Sequence, residues 1–196
     1  GAWGSFSEFV NANPYYPVTN EDGTIPRDLD VYKRANYADI TATNPYYNAM
    51  LPSENRSKIL SVANNTNLNW YIIDNLRWTA SMSLNTTNTD NMNFTDPAHT
   101  KYASSDYTKQ GEYSSSKSRS WRYTMNTGIA YALSLNDHNL TFNGRAEIRS
   151  TSSNTESFVA TGFPKGVGAI PSFAYSFKEN STPGYSESIS RGVSFL

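Results

Sequence analysis

The sequence predicts an all-β protein, a segment of an antiparallel transmembrane β-barrel with about four full strands and partial strands at either end. Three observations predict it. Four stretches alternate apolar and polar residues with period two, and they come as two pairs. The turn inside each pair is short, while the connections between and beyond the pairs are long. The polar face of each stretch is crowded with Ser, Thr, Asn and Arg, so one side is oily and the other wet. A wide wet interior with an apolar exterior suits a membrane barrel better than a soluble sandwich, and such barrels alternate short periplasmic turns with long extracellular loops.

Residues 1–12 hold Trp3, Phe6 and Phe9 among small polar residues and read as the tail of a strand. Residues 13–56 read as loop, broken at Asn13-Pro14, Tyr16-Pro17, Asp22-Gly23, Ile25-Pro26, Asn44-Pro45 and Leu51-Pro52. Within them, Arg27 to Tyr37 allows one or two helical turns. The first long strand is expected from about Lys58 to Ile72, with Leu60, Val62, Leu68, Trp70 and Ile72 on its apolar face. Ile73-Asp74-Asn75 reverses the chain. The second runs over 76–87, with Leu76, Trp78, Ala80, Met82 and Leu84 opposite Arg77, Thr79, Ser81, Ser83 and Asn85.

Residues 88–116 read as polar and irregular. The third strand spans about 118–135, with Trp121, Tyr123, Met125, Ile129, Tyr131, Leu133 and Leu135 on the apolar side. Asn136-Asp137-His138 forms the second short turn, from residues that tolerate left-handed backbone. The fourth covers about 139–150, with Leu140, Phe142, Ala146 and Ile148 facing one way. Thr141, Asn143, Arg145, Glu147 and Arg149 face the other. Residues 151–187 again read as loop, and a fifth strand starts near Ser188.

Composition narrows the class. Ser, Thr and Asn make up about a third of the chain, yet aromatics reach 14% with fourteen Tyr, which is not the make-up of a disordered segment. A net charge of -1 makes no electrostatic case for nucleic acid. The absence of Cys counts against a disulfide-stapled secreted domain. No apolar run approaches the roughly 18 residues of a membrane helix, but barrel strands need only about 9–11. The start has no leader pattern and the last residues begin a new alternation, so the expectation is an internal piece of a longer protein.

Candidate site residues follow from the faces. Arg77, Arg122, Arg145, Glu147 and Arg149 fall on polar faces, where they are candidates to bind a polar substrate or to pair with an interior domain. Mutually paired or simply solvated charges in a hydrated lumen are the plainer reading. Tyr15, Tyr16, Tyr46 and Tyr47 form two Asn-Pro-Tyr-Tyr repeats, suited to stacking on sugars, meeting a partner or packing the loop itself. Trp70, Trp78, Trp121 and Tyr123 are candidates for the aromatic belts at the two membrane interfaces.

No metal site, cofactor or catalytic group is expected. His99 and His138 lie apart without Cys, Asp22, Asp28 and Asp30 lack calcium-loop spacing, and Gly162, Gly166 and Gly168 do not open a helix after a strand. The sequons at Asn55 and Asn93 are expected by chance in so Asn- and Thr-rich a chain.

Several phrases in order along the chain carry a resemblance. Asn13-Pro-Tyr-Tyr-Pro17 with Asp22-Gly23 opens it, followed by Asn44-Pro-Tyr-Tyr-Asn-Ala49 and by Asn69-Trp-Tyr-Ile72 with Asp74-Asn75-Leu76. Asp137-His-Asn-Leu140, Thr161-Gly-Phe-Pro164 and Tyr185-Ser-Glu-Ser188 with Ser190-Arg-Gly-Val-Ser194 complete it. Together they resemble the SusC/RagA family of TonB-dependent outer-membrane transporters.

That resemblance implies a barrel of about twenty-two strands closed around an N-terminal plug. It implies residence in a Gram-negative outer membrane of the Bacteroidota type and contact with its lipid. It also implies a SusD-like surface lipoprotein as partner, power from TonB-ExbB-ExbD, and uptake of oligosaccharides or peptides. Residues 1–196 would be one part of the barrel domain, without the plug, the TonB box or the C-terminal strands. The alternatives are a secreted β-sandwich that binds carbohydrate or acts as an adhesin, and a glycan hydrolase fragment. The hydrolase needs paired carboxylates at strand ends, and Glu147 has no obvious partner.

Overall fold

The computed structural model describes residues 15–32 and 40–196. It is built of antiparallel strands. A small hairpin pairs β1 (Asp28–Tyr32) with β2 (Ile40–Thr43), and a short helix α1 (Pro45–Met50) follows. Four long strands come next, β3 (Glu54–Ile73), β4 (Leu76–Thr95), β5 (Glu112–Leu135) and β6 (His138–Thr161). They pair in that order, and the far side of β6 takes β7 (Ser176–Phe177) and β8 (Gly184–Phe195). The sheet is all antiparallel and open.

Both short turns fall where the sequence places them, β3 into β4 and β5 into β6. Asn136 takes φ 50°, the left-handed conformation that an asparagine accepts readily.

The structure corrects four readings. Asp28–Tyr32 is a strand rather than a helical turn, because Asp28, Leu29, Asp30 and Val31 alternate with period two; residues 33–37 of that expectation lie outside the described residues, as does the strand tail at 1–12. Asn44-Pro45 starts a helix instead of breaking the chain. The Asn44 side chain accepts the amide of Tyr46, and proline fits the first helical position, where no N–H is needed. Residues 88–95 and 112–116 extend β4 and β5, and 151–161 and 184–187 extend β6 and β8. These extensions carry Ser, Thr and Asn on most positions, which erases the hydrophobic alternation while leaving the backbone ladder intact.

By its contacts the chain divides into a strand unit (57–90, 116–157 and 184–196) and a loop unit (1–56, 91–115 and 158–183). The loop unit has a dry core. Met92 and Phe94 from β4 pack with Ala160 and Phe163, flanked by Tyr113, Phe158, Ala169 and Ala174. Phe94 and Phe163 meet edge to face, their ring centres 5.3 Å apart.

The Thr161-Gly-Phe-Pro164 phrase builds this core. The amides of Gly162 and Phe163 both donate to the carbonyl of Gln110, at 3.1 and 2.8 Å. Gly162 has φ +79°, and a Cβ there would stand 2.5 Å from the carbonyl oxygen of Thr108, so only glycine fits. The segment ahead of the strands is pinned by two asparagines. Buried Asn44 donates to the carbonyls of Val18 and Pro26, and Asn48 exchanges two bonds with Thr100.

The strand unit has no such core. Its only buried described residues are Ser150 and Ser152, both small and polar.

Candidate functional site: the two faces of the strand unit

Side-chain bonds fix which residues share a face. Ser134 with Asn139, Arg122 with Thr151, and Thr155 with Ser118 keep one constant offset between β5 and β6. Thr79 to the carbonyl of Gly128, and Ala132 to the carbonyl of Asn75, set the offset between β4 and β5. Ser61 with Thr87, and Trp70 against Trp78, do the same for β3 and β4. The β6–β8 register is direct: Glu147 faces Ser194, Thr151 faces Ser190, Thr155 faces Ser186 and Ser157 faces Gly184.

Opposite residues in an antiparallel pair project to one side. All the expected polar faces therefore coincide, and so do the apolar ones.

The polar face is a hydrogen-bonded surface. Arg149 Nη2 donates to Glu147 Oε1 at 2.6 Å, Arg145 stands 3.8 Å from the other oxygen of the same carboxylate, and Arg145 also donates to Asn126 at 3.0 Å. Arg122 donates from Nε to Thr151 Oγ1. Four arginines thus share the polar face with a single glutamate, and the side chains of Arg145 and Arg149 stay 62% exposed. Exposed pairs of this kind contribute at most about 1 kcal/mol each. Their effect is on the charge of the surface more than on stability.

A shallow groove of about 380 Å³ runs across this face between Arg77 and Arg145, walled by Asn67, Asn69, Asn126 and Asn143. Gly128 and Ala130 also line it.

The apolar face is uncovered. Leu68 is 50% exposed, Met82 43%, Ile129 51%, Phe142 58% and Val193 62%. On this face of β3 the Thr66 hydroxyl donates to Asn64 Oδ1 at 3.1 Å. Trp70 and Trp78 stand edge to face near the β3–β4 turn at 6.3 Å, and Trp78 Nε1 donates to Thr127 at 2.8 Å. Trp121 and Tyr123 stack at 5.6 Å toward the other end of β5. The constant β5–β6 offset sets these two rings beside Ser150 and Ser152, which face Arg191 and Ile189 on β8.

The four tyrosines differ in exposure. Tyr15 is 91% exposed, and Tyr16 donates its hydroxyl to Asp30 at 2.8 Å. Tyr46 and Tyr47 lie half-buried on α1. The two repeats therefore have different surroundings. Asp22 accepts two bonds from Thr24, which hold its carboxyl below the usual carboxylate range. Among the described residues no cluster of three or more metal-ligating side chains occurs.

Sequence reasoning missed a second cavity, in the loop unit. It is lined by Lys101, Tyr102, Lys109, Glu112, Tyr175 and Lys178 among others. These residues lie in segments read as featureless loop, and no local motif connects them. Among the described residues no helix is long and apolar enough to cross a membrane, which says nothing of strands.

The fold is therefore that of an open section of antiparallel barrel wall. It is similar to solved chains of a peptide transporter. Against the structure of the RagAB peptide transporter the TM-score is 0.67 at 18% identity, over 89% of this chain and 18% of that one. Against the RagAB peptide importer in its closed-closed state it is 0.61 at 19% identity, over 91% and 19%. Against the open-open state it is 0.59 at 18% identity, over 91% and 19%. The chain spans less than a fifth of the length of these neighbours. No family model matches the chain, and no curated protein is similar to it.

Proposed function

We propose that this chain is a section of the barrel wall of an outer-membrane importer of the SusC/RagA type, with no catalytic step of its own. One observation carries the reading: a sheet whose apolar face is bare of protein while its other face is a continuous surface of Ser, Thr, Asn and Arg. In water such an apolar face has nothing to bury against. Lipid on that side and a hydrated lumen on the other satisfy both.

The dimensions agree. Leu76 to Leu84 covers about 27 Å of strand, or roughly 20 Å once tilted by ~40°, close to the ~25 Å apolar band of such barrels. Trp70 with Trp78, and Trp121 with Tyr123, then take the positions of the two aromatic girdles.

On this reading the groove between Arg77 and Arg145 faces the lumen and contributes hydrogen-bond donors to a polar cargo, an oligosaccharide or a peptide. A SusD-like surface lipoprotein and TonB-ExbB-ExbD act on the full-length protein, as the sequence resemblance implies. Cell fractionation of the full-length protein tests the reading. It should require detergent for extraction from the outer membrane and show heat-dependent gel migration, and its deletion should abolish uptake of one oligosaccharide or peptide class. A protein that stays in buffer contradicts it.

A further inference from the structure

In the loop unit a cavity of about 810 Å³ opens between the 3-10 turns at Thr100–Tyr102 and Tyr107–Lys109 and the segment of β7 with residues 178–180. That volume falls within the range of small-ligand sites, about 300–1,000 Å³. Its wall carries three lysines and two glutamates. Both carboxylates are engaged: Lys178 Nζ lies 2.8 Å from Glu112 Oε2, and Lys109 Nζ lies 2.9 Å from Glu179 Oε2.

Lys101 is the third cation, and among the described residues no carboxylate lies within ion-pair distance of it. Its ammonium stands instead 4.7 Å from the ring centre of Tyr102, itself only 8% exposed. Burial pulls the Lys101 pKa below its ordinary value; Glu112 opposes that shift and Lys178 adds to it. Glu112 is already paired with Lys178, so the Lys101 ammonium lines the cavity with no ion pair of its own and is open to a bound anion.

Beside it the cavity presents aromatic surface. Tyr175 is 67% exposed and Phe177 55%, and Tyr107 meets Tyr175 edge to face with ring centres 6.4 Å apart. Such rings give flat contact to a sugar ring or to an apolar side chain.

We propose that this cavity binds the carboxylate of a ligand with a ring-shaped or apolar body, with Lys101 as its ion partner and Tyr175 as its platform. Every group involved belongs to the loop unit, so the proposal stands apart from the membrane reading of the strand unit. Two sources carry the same chemistry, the C-terminal carboxylate of a peptide and the uronate of an acidic sugar.

Titration calorimetry on the full-length protein in detergent separates them, using N-acetyl-trialanine against its C-terminal amide and trigalacturonic acid against its methyl ester. One acid should bind at least tenfold more tightly than its neutral counterpart, and which pair responds names the source. Lys101→Met should weaken that binding at least tenfold, while Lys101→Arg stays within about threefold of wild type. Both variants should melt with the parent, since Lys101 is exposed on a short turn. Equal binding of acid and neutral probes, or a Lys101→Met protein that binds as tightly as wild type, overturns the proposal.

Discussion

One strand passes through two environments. On β4, Met82 and Leu84 are 43% and 40% exposed, whereas Met92 and Phe94, on the same side of the same strand, are 7% and 1% exposed. The loop unit behaves as an ordinary globular piece, with interlocked aromatic rings, asparagines saturated by hydrogen bonds, and a glycine where no Cβ fits. The strand unit keeps its large apolar side chains on the outside and buries only two serines among its described residues. The contrast teaches that the two units place the same kinds of apolar side chain differently: the loop unit packs them into a core, while the strand unit leaves them exposed.

The comparison breaks first at the core. Phe94→Ala should cost the loop unit about 3–5 kcal/mol, the usual range for emptying a buried aromatic site. Met82→Ala, an exposed position, should stay within about 0.5 kcal/mol. Denaturant melts of the full-length protein, with amide exchange followed over 91–115 and 158–183, distinguish the two. Similar losses at both positions would dissolve the distinction between the units.

Next comes the sidedness of the sheet. Ile129→Arg should cost about 2–4 kcal/mol if that side faces the bilayer midplane, and should deplete the heat-modifiable folded fraction in outer membranes. Asn126→Arg, on the opposite face beside Arg145, should leave that fraction unchanged. An equal defect from both would contradict the assignment of faces.

Asn44→Ala comes next. It strips the bonds to the carbonyls of Val18 and Pro26 and the cap on Tyr46, an effect of about 1–3 kcal/mol. The loss should appear as faster exchange in residues 15–32 and 40–50 and leave the amides of 57–90 protected. The smallest effect belongs to Glu147→Gln. Its ion pairs with Arg145 and Arg149 involve side chains 62% exposed on the arginine side, so melts should move by less than about 1 kcal/mol.

What the sequence revealed follows from where alternation is strong. The two short turns, the four central strands and the faces of the candidates from Arg77 to Arg149 were legible, because most polar residues there sit beside apolar neighbours. The ends of the strands were not. Asn88 to Asp90, Ser114 to Lys117 and Thr151 to Ser157 are polar on both sides, and a ladder held by pairs such as Thr155 with Ser118 needs no hydrophobic period.

The core was hidden for a related reason. Met92, Phe94, Ala160 and Phe163 come from two distant segments whose local pattern is mixed, and only the fold brings them together. The cavity around Lys101 has no sequence signal at all, since its wall is drawn from three separate stretches.

The central claim is that the two faces of the strand unit meet different solvents. This chain contains no cysteine, so single cysteines at Met82, Ile129 and Ile148, and at Ser81, Asn126 and Arg149, can carry nitroxide labels in a full-length protein otherwise free of reactive thiols. In reconstituted bilayers, power-saturation measurements should find the first three labels open to oxygen and shielded from a water-soluble nickel chelate. The second three should show the reverse preference. Equal access to the nickel chelate on both faces would contradict a lipid-facing wall.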